Sequence, residues 1–126
     1  MNIEEVREYC LQIIGAEESF PFDEVTIVFK IMGKMFALMS LERGINAEFG
    51  VNLKCDPELS VNLREKYECV FPGYHMNKKY WNTVSLEGDM SAVELQYWIN
   101  HSVEEVIKKL PKKQQAEYAA LKENRT

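Results

Sequence analysis

The sequence predicts an α+β fold, a two-layer sandwich in which helices cover one face of an antiparallel sheet. Segments of the first half alternate apolar and polar residues with a period of two, which is typical of strands with one buried face. Other segments repeat apolar residues at helical spacing and begin with residues that cap helices. The resulting order, α-β-β-β-α-β-α, is typical of helices packed on one face of an antiparallel sheet.

The first elements are a helix and a hairpin. Asn2 and Glu5 are spaced as a capping box, and apolar residues follow at helical spacing as far as Gly15. Alternation over residues 25–31 then predicts a strand, and Gly33 marks a tight turn into a return strand over residues 35–41. We therefore expect the sheet to start with a local hairpin.

The third predicted strand covers residues 45–55 and has the most regular alternation of the chain. One face carries the apolar side chains, namely Ile45, Ala47, Phe49, Val51, Leu53 and Cys55. The other face carries polar side chains, among them Asn46, Glu48, Asn52 and Lys54. This alternation predicts a buried face and a face that meets water.

The second half contributes two helices and one main strand. Asp56 followed by proline predicts a helix that ends near Tyr67, and a Pro-Gly turn leads to a strand over residues 81–86, preceded by a short extended piece. Ser91 and Glu94 open a long amphipathic helix that ends at Pro111. Residues 112–126 hold a short helical pattern, and we expect residues 1–126 to form a single domain.

Composition indicates a soluble cytoplasmic protein. The chain of 126 residues is 46% hydrophobic with a formal net charge of −5, and its uncharged runs are far shorter than the ~18 apolar residues of a membrane span. Acidic residues stand near the N-terminus where a signal peptide carries basic ones. The three cysteines form no C-x-x-C pair and there are only two histidines, so we expect reduced thiols, no metal site and no cofactor.

The segment 72–82, PGYHMNKKYWN, is the first place to look for a function. Lysine contacts phosphate and aromatic rings contact bases or sugars, so the run Lys78, Lys79, Tyr80 and Trp81 fits nucleic-acid binding, with Tyr74 and His75 close by. The alternative is that Trp81 closes the sheet edge and the lysines are solvated loop charges. Lys34 and Lys54 join the same surface if the fold brings the hairpin turn and the strand end together.

An enzyme is the less favoured prediction. The six glycines are scattered singly and form no phosphate-binding loop. His75 is the plausible general base outside a helix, and the sequence offers no convergent group to support it. We therefore expect a protein without catalytic residues.

Four segments together resemble the MmcQ/YjbR family of small bacterial proteins. They are PFDEVTIVFKIMGKMFAL (residues 21–38), NLKCDPELSVNLREKY (residues 52–67), PGYHMNKKYWNTVSLEG (residues 72–88) and HSVEEVIKKLPKK (residues 101–113). The chain departs from the family where it has Tyr80-Trp81 instead of the common His-Trp, and Ser102-Val103 instead of Ser-Tyr.

The resemblance implies a fold like that of type III secretion chaperones and a DNA-binding-like function. The residues matching the family's polar motif are candidate nucleic-acid contacts: Lys34, Lys54, His75, Asn77, Lys78, Lys79, Trp81 and Asn82. DNA is the expected partner. The alternative partner is a protein or peptide, including a second copy of the chain, and we expect a monomer or a weak homodimer without membrane association.

Overall fold

An antiparallel sheet forms one layer of the protein in the computed structural model, which describes residues 1–74 and 76–124. Its six strands lie in the order β1-β2-β3-β4-β6-β5, and all neighbouring pairs are antiparallel. The strands are β1 (Glu17–Ser19), β2 (Thr26–Ile31), β3 (Lys34–Ser40), β4 (Gly50–Lys54), β5 (Val70–Pro72) and β6 (Trp81–Ser85).

Four helices form the second layer, and they are α1 (Ile3–Gln12), α2 (Pro57–Lys66), α3 (Ala92–Lys108) and α4 (Lys112–Asn124). The core lies between the layers, with Phe29, Met39 and Val51 of the sheet fully buried against Val6 of α1 and Ile99 of α3. In the described part of the chain, no helix combines the length and apolar character that crossing a bilayer requires.

The predicted fold class is confirmed, and so are the predicted helix starts. Asn2 and Glu5 exchange both capping-box hydrogen bonds, Asp56 accepts from the amide of Glu58, and Ser91 accepts from that of Glu94. The structure adds the short edge strand β1, and β5 is the short extended piece before the last main strand. Residues 112–124 form α4.

The predicted strand over residues 45–55 is wrong in its first half. Ile45–Ala47 is a turn of 3-10 helix, because Asn46 and Ala47 have left-handed backbones with φ of 56° and 59°. Arg43 fixes this turn by donating from Nη1 to the Ala47 carbonyl at 2.9 Å. The strand itself begins only at Gly50.

The face of β4 predicted to meet water is also partly enclosed. Asn52 is 8% exposed, although it points away from the helices. Its amide group donates to the Leu38 carbonyl at 3.3 Å and its Oδ1 accepts from Thr83 at 2.5 Å, so the polar side chain is satisfied inside the protein.

The two ends of the sheet differ in charge. The strand register places the start of β3, the end of β4 and the start of β6 together, and we call this the lysine end because Lys34 and Lys54 lie there. Ser40, Gly50 and Ser85 mark the opposite end, where the chain connections carry glutamates. The charge of the chain is thus unevenly distributed despite the acidic total.

Candidate functional site

Three lysines from separate elements meet at the lysine end. Lys34 begins β3, Lys54 ends β4, and Lys109 directly follows α3. Burial lowers the pKa of Lys54 most, the positive charges of Lys109 and Lys34 lower it further, and the carboxylate of Glu105 opposes them. Lys34 and Lys109 thus act on the charge of Lys54, Glu105 offsets part of their effect, and a bound anion would offset more of it.

Tyr80 connects these lysines to the loop 72–82. The Nζ of Lys109 lies 4.3 Å from the ring centroid of Tyr80 and that of Lys79 lies 5.4 Å from it. The Tyr80 carbonyl accepts from the Cys55 amide at 2.8 Å, which holds the Tyr80 backbone beside the end of β4. We define the lysine cluster as Lys34, Lys54, Lys79 and Lys109.

The sequence reasoning named Tyr80 with the aromatic residues of the loop but did not place Lys109 among the candidate contacts. Lys108 and Lys109 form a basic pair at the end of an amphipathic helix, which was the available signal. The two lysines make different contacts. Glu105, 5% exposed, binds the Nζ of Lys108 at 2.7 Å, and Lys109 is turned toward Tyr80.

Asn77 and Lys78 shape the loop from within. The Oδ1 of Asn77 accepts from the Lys79 amide at 2.9 Å, and the Lys78 ammonium donates to the Gly73 carbonyl at 2.9 Å. Arg64 of α2 donates from Nη2 to the Lys78 carbonyl at 2.5 Å. These bonds hold the backbone that presents Lys79.

Trp81 and Asn82 lie in the interior. Trp81 is 9% exposed and Asn82 is 2% exposed. The Oδ1 of Asn82 accepts from the Nε of Arg64 at 2.8 Å, so Arg64 holds both the loop and the strand that follows it. His75 lies outside the described residues. The structure therefore brings Lys34, Lys54 and Lys79 to one surface and leaves Trp81 and Asn82 beneath it.

The other chemistry-bearing residues have structural surroundings. His101 accepts from the Asp56 amide at 3.2 Å through Nε2, and its ring lies against Trp98. All three cysteines are buried, and burial raises the pKa of each thiol, that of Cys10 to about 12. Among residues 1–74 and 76–124 no three His, Cys, Asp or Glu side chains gather into a metal-binding group.

Comparison of the sequence with known proteins finds a matching family model and similar proteins. The family model described as YjbR matches residues 11–104. The chain is 32% identical over 111 residues to a protein of Escherichia coli K12 named "Uncharacterized protein YjbR", covering 88% of this chain and 92% of that one. It is 38% identical over 112 residues to "Uncharacterized protein YbdF" of Escherichia coli O157:H7, covering 89% of each.

Solved structures of similar sequence superimpose on most of this chain. The crystal structure of Deinococcus radiodurans protein DR2400 superimposes with a TM-score of 0.83 at 34% identity, over 94% of this chain and 88% of that chain. A Pseudomonas syringae protein superimposes with a TM-score of 0.70 at 31% identity, over 81% of this chain and 96% of that chain. The family predicted from the sequence segments is confirmed, and the chain belongs to the YjbR family.

Proposed function

We propose that the protein binds nucleic acid through phosphate contacts made by the lysine cluster. The observation that carries the proposal is the convergence of Lys34, Lys54 and Lys109 from separate elements in a chain whose formal net charge is −5. Like charges held together raise the free energy of the protein, and a polyanion lowers it by neutralising them.

The surroundings of the cluster favour contact with phosphates over contact with bases. Bases are read by stacking on open aromatic faces or by hydrogen bonds to exposed side chains. Trp81 and Asn82 are buried, and ammonium groups lie over the ring of Tyr80. The proposed binding is therefore independent of base sequence and strongly salt-dependent.

Fluorescence anisotropy with labelled duplex and single-stranded DNA tests the proposal. If each lysine of the cluster neutralises one phosphate of a duplex, the logarithm of the association constant falls against the logarithm of salt concentration with a slope of about −3 to −4. The variant Lys34→Glu/Lys109→Glu reverses two charges of the cluster at positions outside the core. We expect at least a tenfold loss of affinity.

The matched control is Lys66→Glu/Lys122→Glu. It makes the same change in net charge at the last turns of α2 and α4, and we expect it to retain affinity within about threefold, since nonspecific charge effects at such distances are screened. The proposal fails if the wild-type protein does not bind either DNA at low salt. It also fails if the control variant loses as much affinity as the cluster variant.

The sheet edges weigh against the alternative in which a peptide adds a strand. Strand addition needs an exposed edge with a row of unpaired backbone groups. Both edges, β1 and β5, are only three residues long, and β5 contains Pro72, which has no amide hydrogen to donate. Strand addition at a sheet edge therefore has little support, and a partner protein would have to bind another surface.

A further inference from the structure

A small cavity opens at the opposite end of the sheet, on the face turned away from the α-helices. Its volume is about 60 Å³, and strands and their connections line it. Phe49, Phe71 and Tyr74 form its walls, and Glu42 and Glu48 carry the carboxylates beside it. We call this cavity the sheet cleft.

The floor of the sheet cleft is a fixed polar surface. Asn52 and Thr83 are each 8% exposed although they lie on the face without α-helices. The Thr83 hydroxyl donates to Asn52 Oδ1 at 2.5 Å and accepts from the Tyr74 amide at 2.9 Å. These bonds preorganise the floor and join it to one wall, so a ligand would bind without ordering the site first.

The wall that carries Phe49 is equally fixed. The guanidinium of Arg43 lies 4.4 Å from the Phe49 ring centroid, and it binds Glu87 at 3.0 Å. Glu87 in turn accepts from the Phe49 amide at 2.9 Å, and Arg43 holds the pKa of the Glu87 carboxyl below its usual value. Arg43 thus covers the ring of Phe49 and pairs its charge with Glu87, and Phe71 and Tyr74 are the other aromatic rings of the lining.

The carboxylates of Glu42 and Glu48 give the sheet cleft more hydrogen-bond acceptors than donors. Glu48 is half-buried, and its Oε2 accepts from the hydroxyl of Ser85. Its Oε1 has no hydrogen-bond partner within the described part of the chain. Glu42 adds a second negative charge, and no lysine or arginine among residues 1–74 and 76–124 lines the cavity. A half-buried carboxylate beside aromatic rings favours a positively charged ligand.

We propose that the sheet cleft binds a compact organic cation, an alkylammonium or guanidinium head group. A water needs about 10–15 Å³ of such volume, so the cavity of about 60 Å³ has room for about four to six waters and for a head group of similar size. Aromatic faces and a carboxylate are the combination that recognises organic cations. A metal ion is less suited to the sheet cleft, because its lining holds only two acidic side chains and no metal-binding group of three His, Cys, Asp or Glu side chains occurs among the described residues.

The same head group occurs in free amines and in the lysine or arginine side chains of peptides. The sheet cleft lies at the end of β4 away from the lysine cluster, and its charge has the opposite sign. Binding there is therefore independent of the proposed nucleic-acid surface, and either proposal can fail alone.

A titration of the ¹⁵N-labelled full chain with tetramethylammonium chloride and methylguanidinium chloride, followed by ¹H–¹⁵N NMR, tests the inference. Ionic strength is kept constant by replacing sodium chloride. We expect saturable shifts of the Gly50, Tyr74 and Ser85 amides, and no such shifts with sodium chloride or with neutral tert-butanol. N-acetyl-lysine amide and N-acetyl-arginine amide form the second arm. If the amino-acid amides bind more tightly than the small cations, the ligand is a lysine or arginine side chain of a peptide. If they bind more weakly, the ligand is a free amine.

Two variants connect the shifts to the sheet cleft. Glu48→Gln removes the charge and retains an oxygen that accepts from Ser85, so we expect at least tenfold weaker binding. Tyr74→Leu removes an aromatic wall at a half-exposed position and should also weaken binding. The matched control, Glu65→Gln on an exposed position of α2, should bind as the wild type does. Shifts that do not saturate, equal shifts with sodium, or unchanged binding in both variants would overturn the inference.

Discussion

Replacement of Ser102 by alanine tests how α3 is joined to the sheet. Ser102 is fully buried, its Oγ accepts from the Lys54 amide at 2.9 Å, and its hydroxyl donates to the Phe36 carbonyl at 2.5 Å. Ala37 pairs with Leu53, so the next pair would be Phe36 with Lys54, but the β3–β4 ladder ends before it, and the bulge between β2 and β3 leaves Phe36 unpaired with β2 as well. The serine hydroxyl thus bridges two backbone groups whose direct pairing is lost.

The cost of Ser102→Ala follows from these bonds. Leaving a buried polar group without a partner costs about 1–3 kcal/mol. The Phe36 carbonyl is in a fully buried residue and bears the full cost, whereas the Lys54 amide is partly buried and bears less. We expect the free energy of unfolding to fall by about 3 kcal/mol, the sum of one full and one partial loss of this kind.

Urea denaturation followed by circular dichroism measures the loss. With a denaturant slope of about 2 kcal/mol per molar, the midpoint should fall by about 1.5 M with the slope unchanged. The control Glu104→Ala, at an exposed position of the same helix, should change stability by less than about 0.5 kcal/mol. A loss below ~1 kcal/mol in Ser102→Ala, less than one unsatisfied group costs, would mean that the strands close and pair directly, and the bridging role would be refuted.

Three further changes test other features. Ala47→Gly relieves a left-handed alanine and should raise the free energy of unfolding by about 1 kcal/mol in urea. Arg64→Lys cannot bridge the Lys78 carbonyl and Asn82 together, so we expect about 2–3 kcal/mol lower stability in urea and weaker DNA binding in anisotropy. Burial raises the pKa of Cys10 from 9.0 to about 12, so its stabilising contribution is present below pH 9 and is lost as pH rises toward 12. The stability difference between wild type and Cys10→Ala should therefore shrink between pH 8 and pH 11, and a constant difference in urea would contradict this.

The sequence predicted the fold wherever local signals and the hydrophobic period agree. The capped helices α1, α2 and α3 and the hairpin are such places. The strand prediction failed at residues 45–49, where side chains alternate as in a strand but the backbone turns. The left-handed residues there are held by Arg43, a contact made only in the folded chain. Alternation alone does not reveal it.

The candidate site was predictable in part for a similar reason. Lys34 and Lys54 stand at a hairpin turn and a strand end, positions that a small antiparallel sheet readily brings together. Lys109 joins them because α3 ends above the same edge, which depends on how the helix packs. Asn82 was predicted to lie in a strand and to contact nucleic acid, yet it pairs with the core residue Leu53 and binds Arg64.

The attachment of α4 determines which part of the protein unfolds locally. Tyr118 is the buried residue of this helix, and its hydroxyl donates to the Ile14 carbonyl at 2.8 Å. Its ring lies over Gly15, whose backbone is left-handed with φ of 79°. A helix held mainly by one side chain detaches in local fluctuations that leave the rest folded. Amide hydrogens of α4 should exchange with solvent long before those of α3, and each detachment uncovers the end of α1, so the two ends of the chain become accessible to proteases together.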